Sequence, residues 1–140
     1  MPPPLPPMKK RILLVEDDSR LRKILNLLLA RSGFTVLTAA DGSEALGIMA
    51  EATVDLVITD LIMPKMEGVE TILAIRRDRA QLPIVAMSGG GFCPAYNYLR
   101  IARSAGACRL LEKPFGFDEL MNTVGELLAD RADSLVPSLS

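Results

Sequence analysis

Hydrophobic and polar positions alternate between two periods along this chain. RILLVE (11–16), FTVLTA (34–39), DLVITD (55–60), PIVAMS (83–88) and ACRLLE (107–112) are short apolar runs, mostly rich in Val, Ile and Leu. That is the composition of strands in a parallel sheet covered on both faces. Between them the period lengthens. Leu21, Ile24, Leu25 and Leu28 fall at i, i+3, i+4 and i+7, and Tyr98, Ile101, Ala102 and Ala105 repeat the spacing. Each set predicts a helix with one apolar stripe. Leu120, Val124, Leu127 and Leu128 predict a last helix in the same way. Gly33 and Gly106 follow helices, and Asp41 with Glu44 has the spacing of a capping box opening a short helix at about 42–52.

The pattern therefore reads as five βα units. Right-handed crossovers and short loops close such units as an open, doubly wound α/β sheet; 2-1-3-4-5 is one strand order for it, and periodicity alone leaves others open. Ligands of these sheets sit beyond the carboxyl ends of the strands, where the order reverses between the first and third. Those two ends read VEDD and TD, so Glu16, Asp17 and Asp60 are expected to converge at one crevice.

Composition narrows the setting. A chain of 140 residues that is 49% hydrophobic is sized for one compact domain, expected at 9–130, between a disordered Pro-rich extension (1–8) and a flexible tail (131–140). Lys and Arg number 16 against 17 Asp and Glu, so no basic field draws the protein directly onto nucleic acid. No apolar run approaches the roughly 18 residues needed to span a bilayer, and prolines interrupt MPPPLPPMKK where a signal peptide would be apolar. Cys93 and Cys108 lack zinc-site spacing and read as reduced thiols, so the expected location is cytoplasmic, without membrane insertion.

Three carboxylates held together repel one another, which raises their pKa values unless a cation neutralises them. Mg2+ suits the donors: it takes one or two carboxylates, keeps several waters and leaves room for a phosphoryl group. Asp18 or Ser19 reads instead as a helix cap. The fourth and fifth strands end on Ser88 and just before Lys113, which add a hydroxyl donor and a point positive charge. A carboxylate nucleophile, a metal and donors aimed at transferring oxygens are the parts of phosphoryl transfer through an aspartyl-phosphate. Asp60 would be the nucleophile, held by a buried strand, with Pro64 shaping the loop after it.

LLVEDDSRLR, DLVITDLIMPKMEG, IVAMSG and LEKPF, in this order, resemble the acidic pair, phosphoacceptor loop, Ser/Thr position and Lys-Pro motif of response-regulator receiver domains, over roughly residues 10–130. The resemblance implies a flavodoxin-like (βα)5 fold of order 2-1-3-4-5 and a phosphoacceptor in a two-component or phosphorelay pathway. It implies that Asp60 takes a phosphoryl group from a phosphohistidine, that Asp17 binds Mg2+ directly and Glu16 through water, and that the carbonyl of Ile62 is a further ligand. Lys113 would contact the phosphoryl group, Ser88 would move to bond it, and Pro114 would follow a cis peptide bond. The chain contains no histidine, so the donor is a separate molecule: a sensor histidine kinase, a histidine phosphotransfer protein or a small phosphodonor. Output is expected through a downstream protein on the face of the fourth predicted helix, fifth strand and fifth helix.

The chain also departs from the family. Leu110 stands where many receivers carry a switching Tyr or Phe, and Gly89, Gly90 and Gly91 make a glycine-rich loop read as loosened. Ile62 and Gly90, two positions beyond Asp60 and Ser88, offer no side chain to position water, so slow autodephosphorylation is expected. Ile62 also stands where aspartate-nucleophile phosphatases commonly place a general acid, which argues against turnover of an external substrate. A stand-alone receiver is the expectation; the alternatives are an unphosphorylated interaction module or the receiver fragment of a longer transcriptional regulator.

Overall fold

The computed structural model describes residues 9–61, 67–89 and 103–134. In chain order these form β1 (Arg11–Val15), α1 (Ser19–Arg31), β2 (Thr35–Ala39), α2 (Gly42–Glu51), β3 (Leu56–Asp60), α3 (Glu67–Asp78), β4 (Ile84–Gly89), β5 (Arg109–Lys113) and α4 (Phe117–Ser134). The strands make one parallel sheet in the order β2-β1-β3-β4-β5, the order expected from the resemblance.

The period of two along each strand sorts apolar side chains between two cores. Ile12 and Leu14 of β1 and Leu56 and Ile58 of β3 pack with Leu25 and Leu29 of α1 and Leu120 and Val124 of α4. Their strand neighbours Leu13, Val15 and Val57 face the other way, against Ala45 and Met49 of α2 and Ile72 and Ile75 of α3. Every residue of β3 is buried, which is why its run shows no polar alternation. The edge strands β2 and β5 are partly exposed and carry solvent-facing or half-exposed polar residues, Thr35 and Thr38 on one and Arg109 and Glu112 on the other.

Local signals end the helices close to where they were expected. Asp18, rather than Ser19, caps α1: its Oδ1 accepts from the Arg20 and Leu21 amides at 2.9 and 3.3 Å. Asp41 caps α2 by accepting from the Glu44 amide at 2.8 Å, but Glu44 reaches back to the Ala40 amide at 3.3 Å, one residue earlier than a reciprocal box requires. Gly33 and Gly106 have φ of 100° and 114°, a conformation costly for side chains with a Cβ.

Several expectations need correction. The stripe predicted for α1 includes Ile24, which is 55% exposed, and omits Leu29, which is fully buried. Leucines at 25, 27, 28 and 29 with Ile24 make the apolar face of this helix wide, so spacing alone could not choose which part of it turns inward. Gly89 belongs to β4, in register with Lys113, rather than to a loosened loop. Helix α4 runs to Ser134, through the boundary placed at 130. Ile62, Pro64, Gly90, Gly91, Cys93, Tyr98, Ile101 and Ala102, with the 1–8 extension, lie outside the described residues.

Gly68 joins the fold to the strand end that carries Asp60. It is buried in the first turn of α3, and a Cβ there would collide with the backbone carbonyls of Asp60 and Leu61. Gly68→Ala is therefore expected to cost about 2 kcal/mol in urea unfolding through overpacking against backbone. Gly47→Ala and Gly125→Ala, at exposed helical positions where a methyl meets nothing within 4 Å, are each expected to gain up to about 1 kcal/mol in the same measurement.

Candidate functional site

Strand register brings the predicted site together at the carboxyl edge of the sheet. Val15 pairs with Thr59, Asp60 with Met87, and Gly89 with Lys113. The β1–β2 ladder continues one residue further, because the Glu16 amide donates to the Ala39 carbonyl at 3.0 Å. Alternation then sets direction. Glu16 follows Ile12 and Leu14, Asp60 follows Leu56 and Ile58, and Lys113 follows Leu111, so all three continue the series packed on the α1/α4 side.

Lys113 Nζ donates to Glu16 Oε1 at 2.6 Å and to Asp60 Oδ2 at 3.1 Å. Glu16 is fully buried, Asp60 is 5% exposed, and the Lys113 side chain is 22% exposed. Carboxylate oxygens of Glu16, Asp17 and Asp60 all lie within 4.8 Å of one another.

Asp17 is exposed at the mouth of the crevice; partial loss of hydration there raises its carboxyl above the ordinary value, and a hydrogen bond and the charge from Glu16 raise it further, while its backbone hydrogen bond and Lys113 only partly offset this. For Lys113, burial acts downward, but the Glu16 hydrogen bond and the charges of Asp60 and Glu16 together outweigh it and hold the ammonium above its ordinary value. Three carboxylates against one ammonium leave two negative charges where the oxygens converge. The donor set is all oxygen and its residual charge matches a hard divalent cation, so these residues fit Mg2+.

The remaining predicted residues are placed as follows. Ser88 is 2% exposed near the end of β4, opposite Glu112, but alternation puts it in the series facing α2 and α3. Ile62 lies outside the described residues. Asp18 is a cap and takes no part in the carboxylate cluster. The Lys113–Pro114 bond is cis. Leu110 is half-buried and packs against the α2/α3 core, which puts an aliphatic side chain at the position of the absent aromatic.

Two residues near the site escaped the sequence reading. Gly68 sat inside the phosphoacceptor-loop motif without an assigned role. Arg22 donates from Nη1 to the Glu16 carbonyl at 2.7 Å, and its only signal was a positive charge close to a helix N-terminus. No described helix is long and apolar enough to cross a membrane.

Comparison with known proteins agrees with this geometry. The response regulator receiver domain profile matches residues 12–125. The response regulator MprA of Mycolicibacterium vanbaalenii is 35% identical over 122 residues, covering 86% of this chain and 51% of that protein. Among solved structures, chemotaxis protein CheY4 of Vibrio cholerae is 30% identical with a TM-score of 0.77, covering 86% of this chain and 99% of that one. TrrA of Thermotoga maritima, in complex with Mg(2+)-BeF, is 32% identical with a TM-score of 0.73, covering 84% and 98%. The chain spans between 27% and 52% of the length of most curated relatives it matches. Since the match runs from the first buried strand to the last helix, the protein belongs to the response regulator receiver domain family of two-component systems.

Proposed function

We propose that Asp60 accepts a phosphoryl group from a phosphohistidine on another protein, and that the modified domain binds a downstream partner differently. The observation that carries this reading is the Lys113 ammonium, shared between Glu16 and Asp60 beside three converging carboxylates. Its role is electrostatic: a fixed positive charge 3.1 Å from the Asp60 oxygen is aimed where phosphoryl oxygens would arrive.

In this reading an Asp60 oxygen attacks phosphorus. The O–P bond forms as the P–N bond breaks, and the electron pair returns to the ring nitrogen; with a proton already on the other ring nitrogen, the ring leaves as neutral imidazole. Lys113 holds one oxygen of the group and the Ser88 hydroxyl donates to another. Asp17 and Asp60, with the Ile62 carbonyl, would ligate Mg2+, and Glu16 would act through water, which suits a carboxylate already bonded to Lys113 through one oxygen. Bound there, the cation would neutralise charge on the transferring oxygens. The Mg(2+)-BeF complex of the relative TrrA supports a cation at this kind of site.

This chain has no histidine to act as its own donor, and membership of the receiver family supports a sensor histidine kinase or histidine phosphotransfer protein in that role. Output runs through the face formed by β5, α4 and the segment preceding β5. Relatives named as transcriptional regulators support transcription as the eventual output, with this chain contributing the phosphoacceptor step rather than turnover of an external substrate.

Incubation with acetyl phosphate and Mg2+ followed by intact-mass spectrometry is expected to add one alkali-labile phosphoryl group to the wild type and none to Asp60→Asn. Chelation with EDTA is expected to abolish the gain. An unmodified wild type under these conditions would count against Asp60 as acceptor.

The raised Asp17 carboxyl means that folding disfavours its charged form, so neutralising it should stabilise the metal-free protein above the ordinary carboxylate range. Because the exposed Asp17 carboxyl is screened by solvent, Asp17→Asn is expected to raise the metal-free thermal midpoint at neutral pH by no more than about 1 °C, and to remove the further rise that Mg2+ produces in the wild type.

A further inference from the structure

Helix α1 breaks a local rule that its neighbours keep. Its first turn carries no acidic residue, whereas α2 opens with Glu44 and α4 with Asp118 and Glu119. Arg20 and Arg22 stand there instead, although positive charge near a helix N-terminus opposes the macrodipole. Such a local conflict is expected where a residue serves a site.

The two arginines differ in what they touch. Arg20 is exposed. Arg22 is half-buried and turns back over the loop between β1 and α1, where Nη1 donates to the Glu16 carbonyl at 2.7 Å and approaches the Asp17 carbonyl at 3.5 Å. Glu16 is engaged at its other polar atoms as well. Its amide donates to Ala39, Oε1 accepts from Lys113, and Oε2 faces the Asp18 amide at 3.4 Å. The bond from Arg22 therefore holds the peptide joining Glu16 to Asp17 by its carbonyl, while Lys113 holds the Glu16 side chain. That peptide needs holding, because like charges within 4.8 Å drive the Asp17 and Asp60 carboxylates apart.

We propose that Arg22 is a positioning residue for the divalent cation: it fixes the Glu16–Asp17 peptide so that the Asp17 carboxylate stays within reach of Asp60. The proposal rests on the reading of this crevice as a Mg2+ site. It adds that affinity for the ion depends on a residue that touches neither the ion nor the phosphoryl group. A loop held beforehand has little to reorganise when the ion binds, and the planar guanidinium holds its Nη1 in a fixed direction toward the Glu16 carbonyl, which a freely rotating ammonium does not.

The test uses the full chain with Arg22→Met, Arg22→Lys and Arg20→Met beside the wild type. In calorimetric titration with MgCl2, Arg22→Met is expected to weaken the dissociation constant about tenfold and Arg22→Lys to recover part of the loss. Arg20→Met removes the same charge from the same turn without touching the loop and is expected to leave it unchanged. In the metal-free proteins, hydrogen exchange followed by NMR is expected to quicken at the Asp17 and Asp18 amides of Arg22→Met and to stay unchanged at Leu25 and Leu29. Equal weakening by both Met variants would overturn the proposal in favour of charge alone, and unchanged exchange at Asp17 would overturn it outright. A wild type that binds no Mg2+ would instead defeat the cation reading, while exchange at Asp17 would still decide whether Arg22 holds the loop.

Discussion

The ammonium of Lys113 is the contact on which the site depends. It joins Glu16, 97 residues away in sequence, to Asp60, 53 residues away, and does so at the boundary between a dry sheet and water. A fully buried glutamate is costly unless it is paired, and the pairing cation is itself held by two acids. The arrangement leaves residual negative charge on purpose-built oxygen donors, which makes it stable enough to persist and unbalanced enough to attract a cation.

Rigidity behind that contact comes from the two apolar layers. Strand β3 is buried along its whole length, so Asp60 is delivered at the end of an element with little freedom to move. Close approach of α3 to the carbonyls of Asp60 and Leu61, which a glycine at 68 allows, fixes the same strand end from the other core. On the β1 side, Arg22 and Lys113 hold Glu16 from its backbone and its side chain. Core packing and site geometry are thus one structure, and a change of a single methyl group at 68 is felt at Asp60.

The half-buried Leu110 marks where this chain parts from many relatives by resemblance. An aliphatic side chain packed on the α2/α3 core has no ring to rotate inward, so a response to phosphorylation has to be carried by a different packing change. Ser88, placed by alternation on the side of the sheet away from Glu16 and Lys113, is the residue whose hydroxyl would have to travel to meet a phosphoryl oxygen.

By itself the sequence determined the strands, their parallel arrangement, a cap at Asp18 or Ser19 and another at Asp41, and the convergence of Glu16, Asp17 and Asp60. These follow from short-range rules: periods of two and 3.6, cap chemistry, and the position of strand ends in a doubly wound sheet. Only tertiary structure decided which part of the wide apolar face of α1 turned inward, because a broad stripe is oriented by the shape of the sheet it meets rather than by its own period. Tertiary structure also decided that Lys113 bonds both Glu16 and Asp60, that Gly68 must lack a side chain, and that Arg22 reaches back to the Glu16 carbonyl. Each of those depends on distances between segments remote in sequence or on the path of a loop, and no local pattern of residues encodes such a distance.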